Sequence, residues 1–286
     1  MEILPFEPNS PTQPLDSTPL KISKLACVDS AAEIGPGVEI GPFCVIGPKA
    51  KIGRGCKLIN NVTMLGDVKL GDDNVVFPGA VLGGAPQDVS YNGADTKVTI
   101  GDRNVIRECV TVNRATEKED GFTRVGSDCY LMGNVHVAHD CSIGDKVIIG
   151  HGTMMGGHVH VDSHATLSGS VAVTHYAAIG SYTFTGAASR VLQDVAPFML
   201  ADGSPARPRC VNIVALRRNN FDKNVIDAIN EAYRLMYRAR VGLPNCEEIL
   251  ESKGKLLPEV KHLLDSIATS QAGRHGRGRE ATRKAA

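Results

Sequence analysis

Residues 33–58 read EIGPGVEIGPFCVIGPKAKIGRGCKL. An aliphatic residue returns at every sixth position through this stretch: Ile34, Ile40, Ile46, Ile52 and Leu58. The same clock extends back to Ile22 and Val28 and forward to Met64, Leu70, Val76 and Leu82. It restarts at Ile100, Ile106 and Val112. A third run goes from Val125 through Leu131, Val137, Ile143, Ile149, Met155, Val161, Leu167 and Val173 to Ile179. A period of six fits no α-helix, whose faces repeat near 3.6 residues, and exceeds the simple alternation of a strand. A short strand plus a corner, with one aliphatic side chain per unit turned inward, accounts for it. The pattern predicts an all-β parallel β-helix whose coils stack about 4.8 Å apart. An ordinary β-sandwich would have to hold three long runs in phase by accident.

Composition agrees with a narrow core. Among 286 residues hydrophobic types make up 42%, aromatics only 5%, and there is no Trp, while 30 glycines serve tight turns. No run is long and apolar enough to cross a membrane. The N-terminus lacks the layout of a signal peptide, so the expected location is cytoplasmic. The eight cysteines include no CxxC pair and are expected to be reduced thiols. Formal charge is zero, but the tail from Gln271 holds Arg274, Arg277, Arg279, Arg283 and Lys284 against Glu280. That composition suits a solvated disordered end, with an acidic partner as the alternative. Nothing points to nucleic acid.

The breaks in the clock divide the chain. Residues 1–20, with Pro5, Pro8, Pro11, Pro14 and Pro19, read as a disordered arm. The β-helix is expected over 21–209, with excursions near 83–97 (GGAPQDVSYNGADTK) and 113–124 (NRATEKEDGFTR), where the phase slips by one. The repeat fades after Ile179. A C-terminal α-helical domain follows over 210–270 and a basic disordered tail over 271–286. Asp222 would cap a helix with a stripe of Val225, Ile226, Ile229, Ala232, Tyr233, Met236 and Tyr237, ended by Gly242 and Pro244. Pro258 would open another with Val260, Leu263, Leu264 and Ile267 inward.

The repeat resembles that of the hexapeptide-repeat transferases, which implies a left-handed helix with three six-residue units per coil. On that coil length His139, Gly157 and His175 share one column, with Asp140 and His158 in the next. Histidines would then flank a level without a side chain. An imidazole can accept a hydroxyl proton near neutral pH, and an exposed N–H can stabilise an oxyanion. Corner histidines that merely face solvent are the bland alternative, and a metal held by some of His136, His139, His151, His158, His160, His164 and His175 is another. The His-x4-His pair of hexapeptide carbonic anhydrases is missing, so neither metal nor cofactor is expected.

From IGDRNVIRECVTVNRAT through VGSDCYLMGNVHVAHDC and MMGGHVHVD to VNIVALRRNNF, the chain resembles the UDP-N-acetylglucosamine O-acyltransferases of lipid A biosynthesis. The likeness implies transfer of a (3-hydroxy)acyl chain from acyl carrier protein to the sugar 3-hydroxyl, in a homotrimer with sites between β-helices. It implies His139 as general base, Asp140 as its acidic supporter and the Gly157 N–H as oxyanion donor. It places His136 and His158 along the sugar and acyl-donor site, Asp88 and more weakly Gln87 on the sugar nucleotide, and Asn212 and Arg218 near the uridine and phosphate end. His175, from the same column, joins them as a substrate-binding candidate. Several positions depart from the family pattern. Ser90 stands where a Lys is usual, Asn113 where a His is usual, and Thr174–His175 where His–Gln is usual. Val214 replaces a Glu, Asn219 an Arg, and Ala187 a Gly on the acyl-chain ruler. They leave open a 3-amino variant of the sugar and a different chain length. The rivals are the pathway's later N-acyltransferase, a small-acyl acetyltransferase, and an inactive β-helix scaffold.

Overall fold

A computed structural model describes residues 19–282. Positions 1–18 of the expected arm and 283–286 of the expected tail lie outside the described residues. Short strands, mostly two residues long, assemble into three sheets of eleven, nine and eight strands. All pairings between these strands are parallel except one terminal hairpin, Met199–Gly203 with Ala206–Val211. The chain visits the three sheets in turn and closes a left-handed parallel β-helix. Partners in most of the ladder stand three hexapeptide units apart, as His136 does from Met154 and Ile143 from Val161.

The clock residues are the core. Ile40, Ile46, Leu58, Met64, Leu70, Leu82, Ile106, Leu131, Ile149, Met155, Leu167 and Ile179 are the largest fully buried side chains. Each contributes roughly 1.5–3 kcal/mol by leaving water. The coil does not stop at Ile179: strands Phe184–Thr185 and Arg190–Val191 carry it on. The clock fades there because its next position is Thr185, fully buried though polar. Corners expected to hold Gly, Asn or Asp also hold Phe43, Cys109, Lys146, His158, Tyr176, Tyr182 and Ala188, all at φ between 55° and 64°. Left-handed backbone costs such residues about 1–2 kcal/mol; ladders above and below hold them there.

Both excursions leave from one corner. The first joins strand Val81–Gly84 to Lys97–Ile100, the second Thr111–Asn113 to Phe122–Val125. Across each the register partner falls later than one uninterrupted coil would put it: Val81 pairs with Thr111, and Thr111 with His136. Apart from a bulge between Leu82 and Gly84, the strands on either side keep register, so the added residues project as loops. Asn113 Nδ2 donates to Ala85 O at 2.5 Å and Arg114 Nη1 to Gly83 O at 2.8 Å, which ties the loop bases together. Later coils turn the same corner at 138–141, 156–159 and 174–177.

The helical section holds α1 (Ile213–Arg218), α2 (Lys223–Tyr233), α3 (Leu243–Ser252) and α4 (Pro258–Ala272). Asp222 occupies the N-cap position of α2 without a side-chain cap bond, and a π-helical turn, Arg234–Arg238, extends the helix. That element ends at Arg238, earlier than expected; Gly242 is instead the N-cap of α3, and Pro244 sits in its first turn, where a missing N–H costs nothing. α3 escaped sequence reading because its buried side is only Cys246 and Leu250. No helix among the described residues is long and apolar enough to cross a membrane.

The expectation of a disordered tail fails for its described part. After α4 the chain folds back through a 3-10 turn, Gly278–Thr282, with Arg277 and Glu280 only 8% and 6% exposed. The two side chains ion-pair. Charge composition suggested solvation, but specific pairing holds the segment. Truncating Leu131 to Ala should lower stability by about 2–5 kcal/mol in urea unfolding, the range for an unrelaxed core cavity.

Candidate active site

The corner between the second and third sheets gathers the chemistry. Asp140, His158 and Tyr176 stand one above another with φ of 59°, 64° and 62°. His139 precedes Asp140, and Gly157 precedes His158. The His158 N–H donates to His139 O at 3.0 Å and the Tyr176 N–H to Gly157 O at 3.1 Å, so consecutive turns are fastened together.

His139 Nδ1 donates to Asp140 Oδ2 at 2.7 Å, which leaves Nε2 as the free basic atom. Its side chain is 12% exposed, and that of Asp140 is fully buried. The buried carboxylate accepts from the Thr116 N–H at 3.1 Å and from its hydroxyl at 2.7 Å. The Asp140 N–H in turn donates to Thr123 Oγ1 at 2.9 Å. The second excursion thus fixes the carboxylate that orients the imidazole. A Cβ built on Gly157 would run into the His139 ring, lying 2.6 Å from its Nε2, so only glycine fits there. The Gly157 N–H has no acceptor among the described residues.

Asp88, from the first excursion, reaches the other side of the base, with Oδ2 3.9 Å from His139 Nε2. Lys118 of the second excursion pairs with it at 2.5 Å. That contact, with the N–H and hydroxyl of Ser90, holds the Asp88 carboxyl far below its ordinary value. Ser90 stands where the family pattern has a Lys; Lys118 supplies a cation to Asp88 from another loop. Gln87 beside it is exposed and makes no bond to the cluster among the described residues. His136 is half-buried, its Nδ1 2.7 Å from Thr111 Oγ1, and burial pushes its imidazole below its usual value.

His158 is packed on three sides. Its ring stacks on Tyr176 at 4.3 Å and meets His139 edge-on at 5.2 Å. Its Nδ1 lies 3.0 Å from Glu119 Oε1, in ion-pair range but poorly aligned for a hydrogen bond. His175 behaves differently. Its backbone stands one coil above Gly157, as the column arithmetic requires and as the bond from the Tyr176 N–H to Gly157 O shows, but its side chain is half exposed and lies 3.9 Å from Glu280.

Asn212 and Arg218 are not brought to this cluster within the chain. Asn212 donates to Tyr182 O at 2.9 Å and caps α1 through Ala215 N, joining helix to coil. Arg218 is exposed in the last turn of α1. Sequence reading missed Thr116, Lys118, Glu119, Tyr176 and Arg279. The phase slip marked the loop that holds three of them, and the 18-residue coil puts Tyr176 in the column of Asp140 and His158; no spacing pointed to Arg279.

Ligand-capable atoms of His139, Asp140 and His158 lie within 4.8 Å of one another. The shortest separation, 2.7 Å, is a hydrogen bond between base and acid. A zinc ion bound through Nδ1, with bonds of about 2.0–2.2 Å, would displace the hydrogen bond that orients the ring. An imidazole oriented by a carboxylate can take a proton from a hydroxyl, and an N–H without an acceptor can receive an oxyanion. Replacing Thr116 by Val should cost about 1–3 kcal/mol in urea unfolding, because a buried carboxylate loses a donor.

The chain is similar to known proteins over most of its length. Residues 194–277 match the model described as UDP-N-acetylglucosamine O-acyltransferase, domain 2, and residues 31–63 and 122–157 match the bacterial transferase hexapeptide repeat. A UDP-N-acetylglucosamine acyltransferase of Bacteroides fragilis 9343 is 35% identical, over 86% of this chain and 96% of that one, with a TM-score of 0.83. The Francisella novicida UDP-N-acetylglucosamine acyltransferase is 35% identical over 87% and 91%, with a TM-score of 0.82. The Arabidopsis UDP-N-acetylglucosamine acyltransferase is 31% identical over 88% and 97%, with a TM-score of 0.78. With likeness of this extent in sequence and fold, the chain belongs to the UDP-N-acetylglucosamine O-acyltransferase family.

Proposed function

We propose that this chain transfers a (3-hydroxy)acyl group from acyl carrier protein to the 3-hydroxyl of UDP-N-acetylglucosamine, the first step of lipid A biosynthesis. The observation that carries the reading is the apposition of His139 and Gly157: a base ring fills the space of a missing Cβ, beside an N–H without an acceptor among the described residues.

His139 Nε2 takes the proton of the sugar 3-hydroxyl, and the oxygen attacks the thioester carbonyl. The Gly157 N–H receives the tetrahedral oxyanion, the carbon–sulfur bond breaks, and His139⁺ protonates the leaving thiolate. An ester and a free thiol result, and no Ser or Cys nucleophile is required. Asp140 keeps the imidazole in its productive tautomer and stabilises its cation. Asp88, with Gln87 as the weaker candidate, would meet the sugar, and His136 and His158 would line the space for sugar and donor. Half-exposed His175 would border it.

Asn212 and Arg218 fit the uridine and phosphate end, since a guanidinium fork matches a phosphate. A homotrimer belongs to this reading, because a second copy would bring its Asn212–Arg218 end toward the His139 corner of its neighbour. Arg217, Arg218, Arg234, Arg238 and Arg240 offer an acidic carrier protein a cationic surface. A 3-amino sugar would use the same base and the same oxyanion donor.

Replacing His139 by Ala should lower kcat by about 10²–10⁴ with the fold retained; near-normal turnover in a thioester-release assay, with product mass checked, would sink the mechanism. Raising ionic strength should raise the apparent KM for the acyl carrier protein, because exposed charges are screened. A KM that stays flat with salt would remove the proposed docking surface.

A further inference from the structure

The corner that carries the site has one more occupant. The turn after strand Arg190–Val191 stands one coil above His175, and the C-terminal segment binds there. The Asp194 N–H donates to Gly276 O at 2.8 Å, and Asp194 Oδ2 accepts from the Gly278 N–H at 2.8 Å. Arg277 Nη1 donates to Leu192 O at 2.9 Å, and Ser270 Oγ to Gly276 O at 2.9 Å. From this anchor the segment runs down the corner: Glu280 faces His175, and Arg279 reaches the level of His158. The guanidinium of Arg279 donates to His158 O through Nη1, and Nη2 lies 3.0 and 3.1 Å from the two carboxylate oxygens of Glu119.

One side chain therefore ties three parts of the chain together. The first is the turn that holds Gly157 and His158. The second is the second excursion, whose Thr116 orients Asp140, whose Lys118 binds Asp88, and whose Glu119 meets His158. The third is the tail itself. Burial would raise the Glu119 carboxyl, but His158 and Arg279 outweigh it and hold it below its ordinary value. His158, strained at φ 64°, has its carbonyl fixed by the same cation. Only a planar fork reaches a carbonyl and a carboxylate together.

We propose that residues 274–282 form a strap that completes the acyl-transfer site, and that Arg279 is a positioning residue. By clamping Glu119 and the His158 carbonyl it holds the 114–121 excursion against the turn that bears Gly157. It thereby fixes Asp140 and His139 through Thr116. This rests on the acyltransferase reading above for its kinetic consequence, but not for its structural one.

Small displacements of catalytic groups cost up to about 10²-fold in rate. In the full chain, Arg279→Ala should lower kcat about ten- to a hundredfold, with the KM for the acyl carrier protein changed less than about twofold. Glu119→Gln should do the same. The double variant should be no worse than either single one, since both break one unit. Arg279→Lys should recover part of kcat, because it restores charge without the fork. Thermal unfolding of each variant separates positioning from stability: a structural role alone would shift the melting temperature and leave kcat per folded molecule unchanged. Hydrogen exchange without substrate reads the clamp directly, and amides of 117–121 should exchange faster in Arg279→Ala. Unchanged exchange, unchanged kcat, or additive effects of the two single substitutions would each overturn the proposal. If the wild-type chain acylates no UDP-sugar, the functional reading fails, while the exchange experiment still decides the clamp.

Discussion

The structure depends on a parallel ladder that repeats with every three hexapeptide units, as in the pairing of Ile143 with Val161. It stacks every third clock residue, so one aliphatic column per sheet fills a triangular core too narrow for many aromatics. It also stacks corners. What would be an independent loop in most folds is here one level of a column, fixed by backbone hydrogen bonds above and below. That is why His158 and Tyr176 tolerate left-handed backbone normally left to glycine or asparagine. Ladder bonds, such as that of the His158 N–H to His139 O, make up for the local cost.

The same constraint explains why the proposed site can be assembled from so few groups. Neighbouring turns lie about one strand spacing, or about 4.8 Å, apart, so a residue on one turn meets the next directly. A histidine ring on the lower turn needs the space of the Cβ above it, and Gly157 gives that space along with its N–H. Beyond Asp140 and His158, which belong to the stacked turns, the groups around His139 come from insertions at the same corner. Extra residues there do not disturb the ladder, because strands Lys97–Ile100 and Phe122–Val125 re-enter in register. Loops grafted on a rigid scaffold can vary in this way, and here two of them meet at Asp88 and Lys118.

The sequence made the backbone legible far better than the side chains. Periodicity reports what is buried, so the clock residues and both excursions could be placed from Ile22 to Ile179. Column arithmetic brought His139 and Gly157 together, because it concerns Cα levels. It failed for the His175 side chain because rotamer and neighbours, not level, decide where an imidazole points. It was silent on Thr185, where a buried polar residue breaks the hydrophobic signal, and on α3, where Pro244 is part of a start and not the stop expected of it. The tail was misread for a different reason. Composition averages charge over a segment, whereas Arg277 and Glu280 pair with each other and become buried. Contacts between distant parts of the chain, such as Arg279 with Glu119, leave no trace in local pattern.

The departures from the family pattern gain meaning from the corner. The cation expected two residues after Asp88 is absent, yet Asp88 is paired all the same, by Lys118 from the next loop. Asn113, in place of a histidine, closes the base of the first excursion through Ala85 O and so supports the loop that presents Asp88. Both changes lie in or at the base of the insertions, and neither touches the contact between His139 and Gly157. The ladder allows this division. A change within the column must satisfy the turns above and below, while a change in a projecting loop need only preserve the charge or bond that it delivers. The apposition of His139 and Gly157 is thus held by backbone geometry, while the charges and bonds that the loops deliver rest on residues that the ladder does not constrain.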